Sequence, residues 1–365
     1  MKRIKTMTGA AVLALGGLLA LPAGAAEREL SLNVPADQAV ELVNLVGAAR
    51  LVPGEGDIVV RARVSADRAE HAEAVRLEKT EGRDGVRIMV AYPDRVSRIN
   101  YDGAEFRRLD ARIDYQGRRM RVTSSGGERI RVDLEIAVPP DAVLELRQGV
   151  GGISAAGVNA DLALQSSYGA VEVADGAGRL VSSTNSGNTT VTSFRGNVTA
   201  NAGSGSIGLE NVLGQVHARA GSGAIRLRGV DGDMRVDTGS GGIRADDVAG
   251  SLTARTGSGG VRVEGLASGP ALNISTGSGS VNAAGDLSAV TELTVRTGSG
   301  SVRLDSSAPL SLDLHLSTGS GGFRVDVPAL SNVESGRRSF RATVGDGTGQ
   351  ARIATGSGSI RITAP

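Results

Sequence analysis

The chain has 365 residues, with 53 glycines, 2% aromatic residues, no tryptophan and no cysteine. A core of large aromatic side chains and a disulfide framework are both excluded, and a hydrophobic fraction of 40% excludes wholesale disorder. The formal charge of +1 lacks the basic excess of a nucleic-acid-binding protein, so no nucleic-acid partner is expected.

Residues 1–25 read as a signal peptide. Lys2, Arg3 and Lys5 form a positive n-region, Ala10 to Leu21 is apolar, and Ala23-Gly24-Ala25 is an A-x-A cleavage site. The apolar run falls short of the about 20 residues that span a membrane, and no second run of spanning length follows. An exported chain with no transmembrane segment is therefore expected, periplasmic in the first instance, with cell-surface display or secretion as alternatives. Without cysteine near the cleavage site, a lipoprotein anchor is not expected.

Residues 26–148 read as a β-rich N-terminal region. Leu30, Leu32 and Val34 alternate with polar residues, and Ile58 to Val64 follows a Pro53-Gly54-Glu55-Gly56-Asp57 turn. Ser65 is the expected N-cap of a short helix through Ala74, with Asp67 in its first turn. Strands resume at Val75–Glu78 and Val86–Val90, joined by Gly82-Arg83-Asp84-Gly85. The excursion 94–129 differs in kind: it holds nine arginines against six acids and three of the eight aromatic residues. Tyr101, Phe106, Arg107, Arg108, Tyr115, Arg118 and Arg119 make a candidate binding lobe for an anionic polymer or headgroup. The competing reading is a solvated hairpin. Ile130 to Val138 is again an alternating strand.

From residue 149 to 365 one phrase recurs. The second glycine of each Gly-Ser-Gly-type corner stands at 151, 169, 187, 205, 223, 241, 259, 279, 300, 321 and 358, so the spacing is 18 six times and then 20, 21, 21 and 37. With that glycine as position 1, position 3 is Ile or Val in nine units, position 10 is often Gly, and positions 4, 6, 13 and 15 are mostly polar. Two short alternating strands per unit follow, joined by a glycine turn and by the corner. Neither strand can bury its apolar edge alone, so units must stack. The expected fold is an all-β parallel β-solenoid of the single-stranded β-helix type, about 18 residues per coil, capped by the N-terminal region. Corner glycines are expected at φ > 0 and in close contact with neighbouring coils, with corner serines bonding to the next coil. The 37-residue interval reads as an insertion at about 328–350, folded as a hairpin rather than a coil, and Pro365 as a breaker on the last edge.

The serial T-G-S-G-[GS]-[IV]-R phrases, the export signal and the closing Gly356-Ser357-Gly358-Ser359-Ile360-Arg361-Ile362 resemble the bacterial putative-adhesin family of GSG-repeat β-solenoids. The resemblance implies an adhesin-like structural or binding module rather than a particular chemistry.

Little chemistry is legible. His71, His217 and His315 are the only histidines; His217 and His315 both fall at position 13 and are expected on exposed strands, five coils apart, and no metal or cofactor is assigned. Asp231, Asp233, Asp246 and Asp247 beside Arg228 are the only acidic group that a polysaccharide-active β-helix enzyme could use, and the calcium β-roll phrase is missing. No nucleophile motif or phosphate loop is present. One surface feature stands out: Arg226, Arg244, Arg262, Arg303 and Arg324 share position 4, with Asp246, Glu264, Asp305 and Asp326 at position 6. This is either a self-neutralising lattice or a binding face for an anionic glycan, lipopolysaccharide or envelope protein. No catalysis is expected; the alternatives are the β-helix enzyme and a periplasmic sensor or accessory protein acting through the 94–129 lobe.

Overall fold

The computed structural model describes residues 26–83, 85–101, 103, 108–267 and 269–365. The segment read as a signal peptide lies outside them. No helix among the described residues is long and apolar enough to cross a membrane.

The N-terminal region supplies β1 (Ala26–Val34), β2 (Val40–Val46), β3 (Ala49–Pro53), β4 (Ile58–Ala66), helix α1 (Ala69–Ala74), β5 (Arg76–Glu81), β6 (Val86–Ala91), β7 (Arg98–Asn100), β8 (Asp110–Tyr115), β9 (Arg118–Thr123) and β10 (Glu128–Val138). Strand β4 runs past Ser65, because Ala66 still pairs with Ala26 and Ile130 on its two sides. The helix therefore starts three residues later than the sequence suggested, with Arg68 at its N-cap and no side-chain capping bond.

The fold is all-β, with mostly parallel strands in two long sheets that give a solenoid-like body. Alternation decides the division: in Ile207–Leu213, Ile207, Leu209 and Val212 are at most 2% exposed and face the space between the sheets. From Ile153 to Asp246 the paired residues of the first sheet face the residue 18 further on, as in Ile207↔Ile225 and Ile243↔Val261. The second sheet keeps the same step, as in Leu162↔Leu180 and Met234↔Leu252. Like thus stacks on like, and one continuous apolar core runs along the body. Thr189 breaks the Ile/Val pattern at position 3, and its buried hydroxyl is satisfied 3.2 Å away by Ser182 Oγ of the opposite sheet.

From Gly187 onward the corners need glycine for space rather than for φ, whereas the first two, Gly151 and Gly169, also hold φ of 117° and 150°. A Cβ on Gly241 would stand 2.0 Å from Gly223 O of the neighbouring coil, and one on Gly259 would stand 2.0 Å from Gly241 O. Left-handed backbone occurs instead at the turn between the two strands, as at Gly214 with φ of 140° and Gly232 with φ of 142°. From Thr238 onward the side-chain bonds between coils come from the threonine before each corner rather than from the corner serine. Thr256 Oγ1 donates to Gly241 O at 2.9 Å and accepts from Gly259 N at 3.1 Å, and the same pair of contacts recurs at Thr276 and Thr297.

Stacking does not follow chain order to the end. The last strand, Ile360–Thr363, lies between Val302–Ser306 and Phe323–Asp326, and Gly349–Thr355 lies between Glu292–Thr297 and Leu312–Thr318. The threonine ladder follows this order, with Thr355 Oγ1 on Gly300 O at 2.8 Å and Thr318 Oγ1 on Gly358 O at 3.0 Å. Pro365 therefore follows an interior strand and breaks no edge. The interval before it forms a hairpin, Leu330–Ser335 against Ser339–Val344, whose second strand pairs antiparallel with Leu312–Thr318 and covers the end of the second sheet.

Candidate ligand-binding face

The register that stacks the core also aligns what points outward. On the first sheet one row of pairings runs Ser31, Arg61, Glu135, Arg50, Ser154, Glu172, Thr190, Gly208, Arg226, Arg244, Arg262, Asn282, Arg303, Arg361 and Arg324. At about 4.8 Å per strand the row is roughly 65 Å long. The five position-4 arginines singled out in the sequence all lie in it, and strand insertion adds Arg361 between Arg303 and Arg324.

Position-6 acids neutralise part of this row. Arg244 Nε lies 2.7 Å from Asp246 and its Nη2 2.9 Å from Glu264; Arg262 reaches Glu264 at 2.6 Å and Arg303 reaches Asp305 at 2.6 Å. The hydrogen bond that Arg244 donates to Asp246 holds its guanidinium more firmly charged. Burial opposes ionisation of Asp305, but the Thr363 hydroxyl and Arg303 prevail and hold its carboxyl below the usual range. Arg324 is only 4.0 Å from Asp326. Arg226 and Arg361 have neither a hydrogen bond nor an ion pair among the described residues. On the seven strands from Ile225 to Thr363, positions 4 and 6 carry seven arginines against four carboxylates. The side chains of Arg244, Arg262, Arg303 and Arg324 are about half exposed, from 48% at Arg244 to 66% at Arg324, whereas Arg361 is half-buried.

At its N-terminal end the same row enters a cavity of about 930 Å³. Ala48, Gly152 and Ala170 leave room for it, while Arg50, Arg61 and Arg63 line it. Arg61 pairs with Glu135 at 3.2 Å and Arg63 with Glu29 at 3.7 Å. Arg50 and Glu172, separated by Ser154, have no such partner among the described residues. Nothing in the repeat pattern marks Arg50, because it precedes the first unit.

The proposed 94–129 lobe does not present its aromatic residues. Tyr101 and Tyr115 are 1% and 6% exposed, which corrects the expectation that they contact a ligand. The Tyr115 hydroxyl donates to Val90 O at 2.7 Å, its ring meets Tyr92 edge-on at 5.8 Å, and burial pushes its phenol well up. Arg118 donates to Val96 O at 2.7 Å and to Asp94 O, tying down its own segment. Arg108 and Arg119 remain exposed, while Phe106 and Arg107 lie outside the described residues. With Leu109, Ala111, Met120 and Val122 also buried, strands β7–β9 cap the core. The alternation of Leu109, Ala111, Ile113 and Tyr115 carries this signal in the sequence.

The second sheet carries a smaller cationic cluster. Asp237 is approached by Arg235 at 3.4 Å, Arg219 at 3.6 Å and Arg255 at 3.7 Å, beside a depression of about 300 Å³. His217 pairs in register with Arg235; partial burial, then Arg219 and Arg235, lower its pKa, and Asp237 opposes them. His315 is an exposed strand residue, whereas His71 lies on α1 and is largely buried.

Asp231, Asp233, Asp246 and Asp247 do not converge. Asp233 accepts from Ser251 N at 3.2 Å and Asp246 binds Arg244. Among the described residues the one convergent set of three His, Asp or Glu ligand atoms is Asp67, His71 and Glu128, within 4.8 Å of one another. Sequence reasoning passed over it because Glu128 lies far along the chain, although Asp67 and His71 at i and i+4 were visible.

A family model, Toastrack DUF4097, matches residues 107–363. The chain belongs to this family. No curated protein matches it. Among solved structures, a "putative adhesin" of Parabacteroides distasonis is similar over 68% of this chain and 97% of its own, at 13% identity and a TM-score of 0.42. A "putative adhesin" of Parabacteroides merdae covers 68% and 96%, at 13% identity and a TM-score of 0.38. A "putative lipid binding protein" of Parabacteroides distasonis covers 92% and 96%, at 8% identity and a TM-score of 0.32. The Toastrack match takes in every position-4 arginine of the row and leaves out the cavity residues before 107.

Proposed function

We propose that this Toastrack chain is a non-catalytic, exported envelope module, adhesin-like in the sense that it presents a long face to a partner. The partner class favoured is an anionic glycan, with lipopolysaccharide and an envelope protein as other outcomes of the test. We read the body as a β-helix-type solenoid of about 18 residues per coil, periplasmic or displayed, with no cofactor. The observation that carries the reading is the row with its neighbouring column: positions 4 and 6 hold seven arginines against four carboxylates on seven consecutive strands, six of the arginines in the row itself, and Arg226 has no ion pair among the described residues. A stiff surface with one cation per strand spacing suits an extended polyanion, because the sites are held in place before binding.

The test is retention on immobilised acidic polysaccharide and on lipopolysaccharide, with a salt gradient, for the parent chain and for Arg226→Glu/Arg361→Glu. The expected result is elution of the double variant at clearly lower salt, since exposed charge pairs are screened within about 10 Å at 0.1 M salt. Equal elution of parent and variant, or no retention at low salt, refutes the reading. Protease treatment of whole cells and of cells with opened outer membranes tests the compartment.

A further inference from the structure

Helix α1 and the start of β10 bring three potential ligands together. Asp67 precedes the N-cap Arg68 and His71 lies in the first turn of α1, and the chain's bend at the N-cap brings the two side chains to 3.7 Å. Asp67 N donates to Arg129 O at 3.1 Å, which fastens this turn beside Glu128. The His71 side chain is 12% exposed, and its Nδ1 is buried without a hydrogen-bond partner. That nitrogen faces Asp67 Oδ1 at 3.7 Å and Glu128 Oε2 at 3.6 Å. Both separations are too long for hydrogen bonds. They are close to the roughly 3.3 Å between ligand atoms that bonds of about 2.0–2.1 Å to one tetrahedral ion require.

The surrounding charge agrees. Glu70 Oε1 lies 4.0 Å from His71 Nε2, and Arg68 approaches Glu70 at 3.7 Å and Glu128 at 3.8 Å. Three carboxylates thus face one guanidinium, which leaves a net charge of −2 on the groups around the imidazole. Glu70 places its carboxylate on the side of the other ring nitrogen, at 4.0 Å, beyond hydrogen-bond reach.

We propose that Asp67, His71 and Glu128 hold a divalent transition-metal ion, with zinc as the first probe. The donor set of one nitrogen and two carboxylates suits zinc, and the ion would tie α1 to β10 where the N-terminal cap meets the core. The site is separate from the arginine row, so the proposal stands whether or not that face binds a glycan.

The test is calorimetric titration of the full chain, free of any affinity tag, with zinc chloride, together with thermal melting. One site per chain and a midpoint raised by at least about 3 °C in excess zinc are expected, because an ion that binds only the folded state stabilises it. His71→Gln and Glu128→Gln should each weaken binding by at least about tenfold, while His217→Gln/His315→Gln should leave it intact. Glu128→Gln, of the same shape as the parent, decides the matter should His71→Gln disturb the fold. No binding at about 1 mM zinc, or binding undiminished by both ligand variants, overturns the proposal.

Discussion

Two glycines in the same sheet should respond to alanine with opposite sign. At Gly241 the new Cβ would meet Gly223 O at 2.0 Å, Gly223 C at 2.4 Å and Ala224 N at 2.8 Å, all backbone of the adjacent coil. No side-chain rotation relieves such a contact, so the two coils must part locally by about 1 Å. That movement strains the bond from Thr238 Oγ1 to Gly223 O at 2.9 Å and the backbone bond from Ile225 N to Gly242 O at 3.0 Å. Overpacking costs about 1–3 kcal/mol, and a buried carbonyl that loses its donor costs about 1–3 kcal/mol more. Gly241→Ala should therefore destabilise by about 2–6 kcal/mol. At Gly208 nothing lies within 4 Å of an added Cβ and φ is outside the left-handed range. Gly208→Ala should stabilise by about 0.5–1 kcal/mol, by narrowing the unfolded ensemble. Urea titration followed by circular dichroism reads both, and hydrogen exchange over 221–259 tests whether the damage stays at one seam, as nearest-neighbour stacking requires. A Gly241→Ala variant within about 0.5 kcal/mol of the parent, or the same sign at both sites, would refute the close-approach argument.

Deleting 349–365 removes strands that lie between their neighbours, so hydrogen-exchange protection should disappear across 312–344 as well; protection retained there would mean that the coils stack in chain order. His217 should titrate below the usual imidazole value of 6.5 by NMR, and Arg219→Gln should move it up. Because its folded pKa is depressed, its contribution to stability is present above the unfolded value and is lost as pH falls through the folded one. His217→Gln should therefore make the chain less sensitive to acid over that window, and a titration at or above 6.5 would contradict the structure.

The period was legible because backbone geometry enforces it: a residue that stacks on its counterpart 18 positions on must share its environment, so Ile207, Ile225, Ile243 and Val261 look alike. The spatial order of the last coils was not. The corners at Gly300, Gly321 and Gly358 read almost identically, and each could stack on any other. What distinguishes them is the hairpin 330–344, which takes the outer side of Leu312–Thr318 and leaves its inner side to Gly349–Thr355. The role of the corner threonine was hidden for a different reason. Thr and Ser both occur in every late corner phrase, and only the geometry tells which hydroxyl faces the carbonyl of the next coil. Composition misled most at 94–129, where a count of arginines and tyrosines outweighed the period-2 alternation that places Tyr115 in the core.

The arginine row bears on function because a solenoid offers a cheaper arrangement. Fixed register turns any repeated charge into a column with about 4.8 Å between neighbours, and two like charges at that distance repel by about 1 kcal/mol even in bulk water. A face needing only solubility would alternate acid and base along the column and avoid that cost, as Arg219, Asp237 and Arg255 do on the second sheet. The first sheet instead repeats arginine on Arg226, Arg244 and Arg262 and again on Arg303, Arg361 and Arg324, and moves the acids to the neighbouring column, where none forms an ion pair with Arg226 and Arg361 shares Asp305 with Arg303. A linear polyanion laid along the column would supply the missing charge at the missing spacing. That physical asymmetry between the two sheets is the reason to look for a ligand on the first.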